Sequence, residues 1–166
     1  MPVSAEISAQ ISVTQTATPD GGQATAKQSA GPGVVLVANG TANGQADLAF
    51  VDTRTVTSGA NDDIDLAGAL SSVFGATLTF VEIMSILIYS EPTNTTNLTV
   101  GNAPSNPFQG PFGAAAHTEV IAPGGLSLAH RPSGWTVVAG TGDILRIANA
   151  SGASATYQIA ILGRSA

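Results

Sequence analysis

Asp62, Asp63 and Asp65 form the densest acidic group in the chain and, with Gly68, faintly resemble the start of a calcium loop. That loop needs an oxygen donor at its fifth position and a bidentate glutamate at its twelfth. Counted from Asp63, those positions hold Ala67 and Phe74, so a turn whose carboxylates accept hydrogen bonds from its own backbone is expected instead. The two histidines, His117 and His130, sit beside Ala116, Thr118, Ala129 and Arg131 and read as ordinary surface or interface residues. Cysteine is absent, which removes thiolate nucleophiles, disulfides and the common structural zinc sites together. No metal and no cofactor are expected.

Nucleophilic catalysis finds no better footing. The chain has no Gly-x-Ser-x-Gly elbow, and serine is so abundant that its presence alone carries no information. Gly140-Thr141-Gly142 lacks the third glycine of a dinucleotide fingerprint and reads as a tight turn. Glu82 lies in an apolar stretch, where an unpaired carboxylate is costly. It is expected either to pair with an arginine such as Arg131 or Arg146 or to sit near the wet end of its strand. A catalytic acid would want a second carboxylate nearby, and the sequence identifies none. No catalytic residue is assigned, and the chain is read as no enzyme.

Charged residues make up 10% of the chain, and Lys27 is the single lysine. Soluble globular domains carry about 25%. Ser, Thr, Asn, Gln and Gly supply the missing polarity, and a second chain can cover such groups at a smaller desolvation cost than ions. The composition therefore describes a surface made to be covered. A formal charge of −6 with arginines scattered at 54, 131, 146 and 164 argues against nucleic acid as a partner. The longest apolar stretch, Leu78 to Tyr89, is interrupted by Glu82 and Ser85 and falls short of the roughly 20 residues of a membrane helix. Residues 1–18 mix polar and apolar types throughout, so no secretory signal and no membrane partner are expected.

The elements that would carry these residues are strands. Residues 1–33 are expected to form an extended arm: Ile7, Ile11 and Val13 are its sizeable apolar side chains after Val3, and Pro19-Asp20-Gly21-Gly22 and Gly31-Pro32-Gly33 punctuate it. Residues 34–166 form the main domain, beginning with the apolar run Val34 to Val37. Short strands are expected at 49–57, 78–89, 97–101, 118–122, 126–129, 135–139, 143–149 and 155–163. An acidic turn falls in 61–68, and 70–74 could form one helical turn ending at Gly75. Strict alternation puts Leu78, Phe80, Glu82, Met84, Ile86 and Ile88 on one face, and Val81, Ile83, Leu87 and Tyr89 on the other. Both faces are apolar, so a second layer must cover one of them. The last two strands read as a hairpin turned at Ser151-Gly152, with Tyr157, Ile159 and Ile161 on one face. Phe108 and Phe112, held between Pro107 and Pro111, present aromatic groups on a stiffened loop suited to docking. The fold class is all-β, an antiparallel β-sandwich with jelly-roll topology preferred.

The segments Ile64-Asp65-Leu66-Ala67-Gly68, Leu98-Thr99-Val100-Gly101-Asn102-Ala103, Ile121-Ala122-Pro123-Gly124-Gly125 and 139–149, from Ala139 to Asn149, together resemble the small virion proteins of tailed bacteriophages that decorate or cement the head. The likeness covers roughly residues 47–163 and leaves the arm unmatched. It implies a jelly-roll trimer on the capsid exterior, seated where major capsid subunits meet, with no catalytic residues. Ile7, Ile11, Val13, Ile86, Ile88, Phe108 and Phe112 are the expected interaction residues. A tail, fibre or head-spike component with a carbohydrate- or receptor-binding jelly roll is the alternative.

Overall fold

The computed structural model describes residues 2–18, 22–68, 70–150 and 152–166. Pro19, Asp20 and Gly21 of the expected arm turn, and Ser151 of the expected final turn, lie outside the described residues. In chain order the strands are β1 (Ala5–Ala17), β2 (Ala24–Asn39), β3 (Gln45–Ala46), β4 (Leu48–Val56), β5 (Asn61–Asp65), β6 (Leu70–Ser71) and β7 (Thr77–Leu78). They continue with β8 (Glu82–Ser90), β9 (Leu98–Gly101), β10 (Thr118–Ile121), β11 (Leu126–Thr136), β12 (Ile144–Ala148) and β13 (Ala155–Arg164). One 3-10 turn spans Gly110–Phe112, and no α-helix occurs among the described residues. The chain gathers into two units. One is Pro2 and Val3 with Asn39–Ala166; the other is Ser4–Ala38.

The larger unit is an all-β sandwich of two four-stranded antiparallel sheets, ordered β11-β8-β13-β4 and β10-β9-β12-β5. Period-two alternation explains why these sheets meet. In β12, Leu145 and Ile147 are buried while Ile144, Arg146 and Ala148 are half-buried, and in β13 Tyr157, Ile159 and Ile161 turn inward. Phe50, Val56, Ile83, Ile86 and Ile88 join them from the first sheet, and Ile64, Leu98, Val100 and Ile121 from the second, in one continuous core. Burying a side chain of this size contributes about 1.5–3 kcal/mol, so the layer between the sheets is the main source of the sandwich's stability.

Several expectations change on contact with the structure. β12 and β13 are not a hairpin: β12 pairs with β5 and β9, β13 with β4 and β8. Both inner faces are apolar, and placing the strands in opposite sheets lets those faces pack on one another. Buried Asn149 pins the crossing by donating its side-chain amide to the Val56 and Ala153 carbonyls at 3.0 and 2.8 Å. Residues 70–74 are not helical. β6 and β7 pair, and the Ser72 hydroxyl accepts from the Phe74 and Ala76 amides, which closes a tight turn. The acidic residues lie on strand β5 and the expected turn follows at 66–68, where Asp65 accepts the Ala67 amide at 2.9 Å. The separate strand expected at 135–139 joins its predecessor instead, since β11 runs on through Trp135 to Thr136.

A β-bulge alters the reading of β8. Ser85 pairs with Leu162 and His130, while Ile83 pairs with Gly163 and Trp135, so Met84 is the extra residue. The face assignment therefore slips by one: Ile83, not Met84, points with Ile86 and Ile88 into the core. Opposite the bulge the backbones approach closely. A β-carbon on Gly163 would lie 2.3 Å from the Glu82 carbonyl oxygen and 2.6 Å from the Phe80 ring. Gly163→Ala is expected to destabilise the chain by roughly 1–3 kcal/mol, lowering the urea midpoint with an unchanged slope; an unaltered midpoint would show that the bulge yields freely.

The smaller unit is a β-hairpin. β1 and β2 pair from Ala5↔Val37 to Ala17↔Ala24, with a register shift after Ala9. Gly31 permits that shift. Its φ is +115°, and a β-carbon at this position would lie 2.5 Å from the Ala9 carbonyl oxygen, so any other residue would be strained. Pro32, which has no amide to donate, sits in the same bulge. The run Val34 to Val37 belongs to this hairpin's second strand.

Candidate interaction surfaces

From Ile11 toward Thr16 the hairpin has one face richer in apolar side chains, whereas near Ala5 to Ala9 both faces carry them. Antiparallel register puts Ala5, Ile7, Ala9, Ile11 and Val13 on one face with Val37, Val35, Ala30 and Gln28 opposite. Glu6, Ser8, Ser12, Thr14 and Thr16 lie on the other face, together with Val34 and Leu36, which are 53% and 76% exposed. The apolar face is uncovered beyond Ala9: Ile7 is half-buried, but Ile11 is 72% exposed and Val13 is 44% exposed. A two-stranded hairpin is at best marginally stable in water. This one has strands of 13 and 16 residues and leaves Ile11 and Val13 in solvent.

The outward face of sheet β11-β8-β13-β4 is a second apolar surface. Across its strands Leu128, Leu87, Ala160 and Val51 stand in one row, and Leu126, Tyr89, Gln158 and Thr53 in the next. Leu126 and Val51 are exposed, and Leu87, Tyr89, Leu128 and Ala160 half-buried. The expected two-sided strand is thus real, with its faces differently occupied. Ile86 and Ile88 are covered by the chain's own second sheet, and Leu87 and Tyr89 face outward.

Three expected interaction residues therefore need correction. Ile86, Ile88 and Phe108 are buried, because each points between the sheets where apolar area is removed from water within the chain itself. Phe112 is half-buried and packs on the same core. Prolines stiffen the loop, but it pins itself to its own domain. Ile7, Ile11 and Val13 do come together on one face. Sequence reading missed Val51, Leu126, and the adjacent Val73 and Phe74, all exposed. For Leu126 the alternation Leu-Ser-Leu was the available signal.

The charged groups act as internal ties. Arg54 Nε donates to Asp62 Oδ2 at 2.5 Å and its Nη2 to Oδ1 at 2.9 Å, while the Tyr157 hydroxyl donates to Asp62 Oδ2 at 2.7 Å. Burial alone would raise the Asp62 carboxyl, but hydrogen bonds from Arg54 and Tyr157, together with the guanidinium charge, outweigh it and hold the group below its usual value. Burial, followed by the bond to Asp62, pushes the Tyr157 phenol upward. Arg146 grips Asp63 with two bonds of 2.6 and 2.7 Å. Glu82 does pair with an arginine, but with Arg164 rather than Arg131 or Arg146. Arg164 is buried, and its remaining donors reach the Ala42 and Pro132 carbonyls at 3.1 and 3.0 Å. Every nitrogen of this buried guanidinium is thereby satisfied, the condition under which a buried charge is tolerated.

Among the described residues no three His, Asp or Glu side chains gather as a metal would need, and no helix is long and apolar enough to cross a membrane. No family model matches the chain, and no curated protein matches it. Among solved structures it is similar to a chain of "Cyanophage Pam1 capsid asymmetric unit", at 18% identity and a TM-score of 0.31, covering 69% of this chain and 82% of that one.

Because the folded carboxyl of Asp62 lies below its unfolded value, its stabilisation is fully present at neutral pH and is lost as pH falls through the folded value. Asp62→Asn should cost roughly 1–3 kcal/mol at neutral pH and little at strongly acidic pH, read from urea melts across the acid range. An equal loss at both pH values would contradict the assigned role.

Proposed function

We propose that this chain is a structural, non-enzymatic component of a bacteriophage particle, a cement or decoration protein that binds copies of itself and major capsid subunits on the outside of the head. The single observation that carries this reading is the hairpin Ser4–Ala38, whose apolar face is uncovered at Ile11 and Val13. Such a ribbon needs a neighbour. The low charge and the outward apolar rows of β8 and β11 support the same reading, since weakly charged surfaces are the ones a subunit can bury cheaply. The resemblance of residues 47–163 to phage head-decorating proteins supplies the particle and the trimer.

The preferred topology within the sandwich is the jelly roll. Its support is strand order: the body's first long strand, β4, pairs with its last, β13, and successive strands mostly alternate between sheets, as two nested Greek keys require. In this reading the sandwich supplies a rigid seat and the hairpin spans to a neighbouring subunit. Nucleic acid and membrane are not among its partners.

The double variant Ile11→Ser, Val13→Ser tests the proposal, because both side chains are solvent-facing and their loss should leave the sandwich folded. On empty shells of the phage that encodes it, wild-type chain should saturate the lattice, whereas the variant should bind at least about tenfold more weakly, a loss of roughly 1.4 kcal/mol or more. Equal occupancy would refute the hairpin's part, and failure of the wild type to bind would refute the cement reading.

A further inference from the structure

The sandwich also carries a cleft that the assembly reading does not use. Between the β11 bulge, the 3-10 turn and the turn at 138–142 lies a cavity of about 440 Å³, lined among others by Gln109, Arg131, Trp135, Thr136, Val138 and Thr141. No acidic side chain lines it, in a chain with eleven acids and five bases. Arg131 is exposed, and its Nε donates to the Ser133 hydroxyl at 2.9 Å. Unlike Arg54, Arg146 and Arg164, it forms no ion pair with a carboxylate among the described residues. Trp135 is half-buried and packs on the core beneath, so its indole is held in place.

We propose that this cleft binds a carboxylated sugar unit, such as a uronic acid within an oligosaccharide. The chemistry of the lining selects that class. Arg131 offers a planar fork to one carboxylate. The hydroxyls of Thr136 and Thr141 and the amide of Gln109 can both donate to and accept from sugar hydroxyls. The indole and Val138 supply apolar area for a C–H face. A polyphosphate is disfavoured because it would place several charges inside the cleft against a single arginine, whereas an oligosaccharide of uronic acids places one carboxylate there for each sugar bound. A cation is disfavoured because the lining holds no carboxylate.

Trp135 is the only tryptophan in the chain, so its fluorescence reports this cleft alone. The full-length protein would be titrated with tetragalacturonate, with a neutral galactose tetrasaccharide and with acetate. Tetragalacturonate is expected to change the emission saturably, the neutral sugar to bind about tenfold more weakly, as one lost charge-assisted contact implies, and acetate to do nothing. Arg131→Gln, at an exposed position and checked for an unchanged thermal midpoint, should bring the acidic sugar down to the affinity of the neutral one. Thr141→Val should weaken both sugars alike. The proposal is overturned if no sugar gives a saturable change, if acetate alone reproduces it, or if Arg131→Gln binds tetragalacturonate as the wild type does. None of these outcomes depends on assembly.

Discussion

Apolar sheet surface must be covered, and a two-layer sandwich can cover only the faces turned toward its centre. Most features of this molecule follow from that constraint. The inner faces of β8, β12 and β13 meet in one core and use up Ile86, Ile88, Phe108 and Tyr157. What remains lies outside the layer's reach: the rows through Leu128, Leu87 and Val51 on the outer sheet face, and the hairpin face of Ile11 and Val13. The hairpin is the sharper case, since two strands have no opposite layer at all.

The scarce charges fit the same picture. Arg54 with Asp62, Arg146 with Asp63 and Arg164 with Glu82 each join segments distant along the chain or neighbouring strands, so three of the four arginines serve as ties within the fold. No charged side chain stands in the outer rows through Leu128, Leu87, Ala160 and Val51 and through Leu126, Tyr89, Gln158 and Thr53. A chain that self-associates or seats on a shell gains from this, because fewer ions must be stripped of water when surfaces meet.

Strand positions and inward residues were legible from alternation. Leu145 and Ile147, and Tyr157, Ile159 and Ile161, face the core as their spacing implies. Pairing was harder to read, because period-two patterning says which face is buried but not which sheet a strand joins; β12 and β13, close in sequence, part company for that reason. The bulge at Met84 was hidden because Ile83 and Met84 are both apolar, so exchanging which of them faces the core leaves little mark on the pattern. Glu82 finds Arg164, 82 residues away, and no local signal could choose it over Arg131 or Arg146. Of the candidate surface, Ile7, Ile11 and Val13 were visible as a set. The second strand that completes their ribbon was obscured by Gly31-Pro32-Gly33, which reads as a break and is in fact the bulge between two paired stretches.

Amide hydrogen exchange along 5–17 and 24–38, compared between dilute free chain and the chain bound on its particle, tests the central claim most directly. The account predicts rapid exchange around Ile11 and Val13 in the free chain, with the sandwich strands protected, and slowing of about a hundredfold or more once bound, the signature of roughly 2.7 kcal/mol of added local stability. Strong protection of the hairpin in the dilute free chain, unchanged on binding, would contradict it: the ribbon would then be stable alone and in no need of a neighbour.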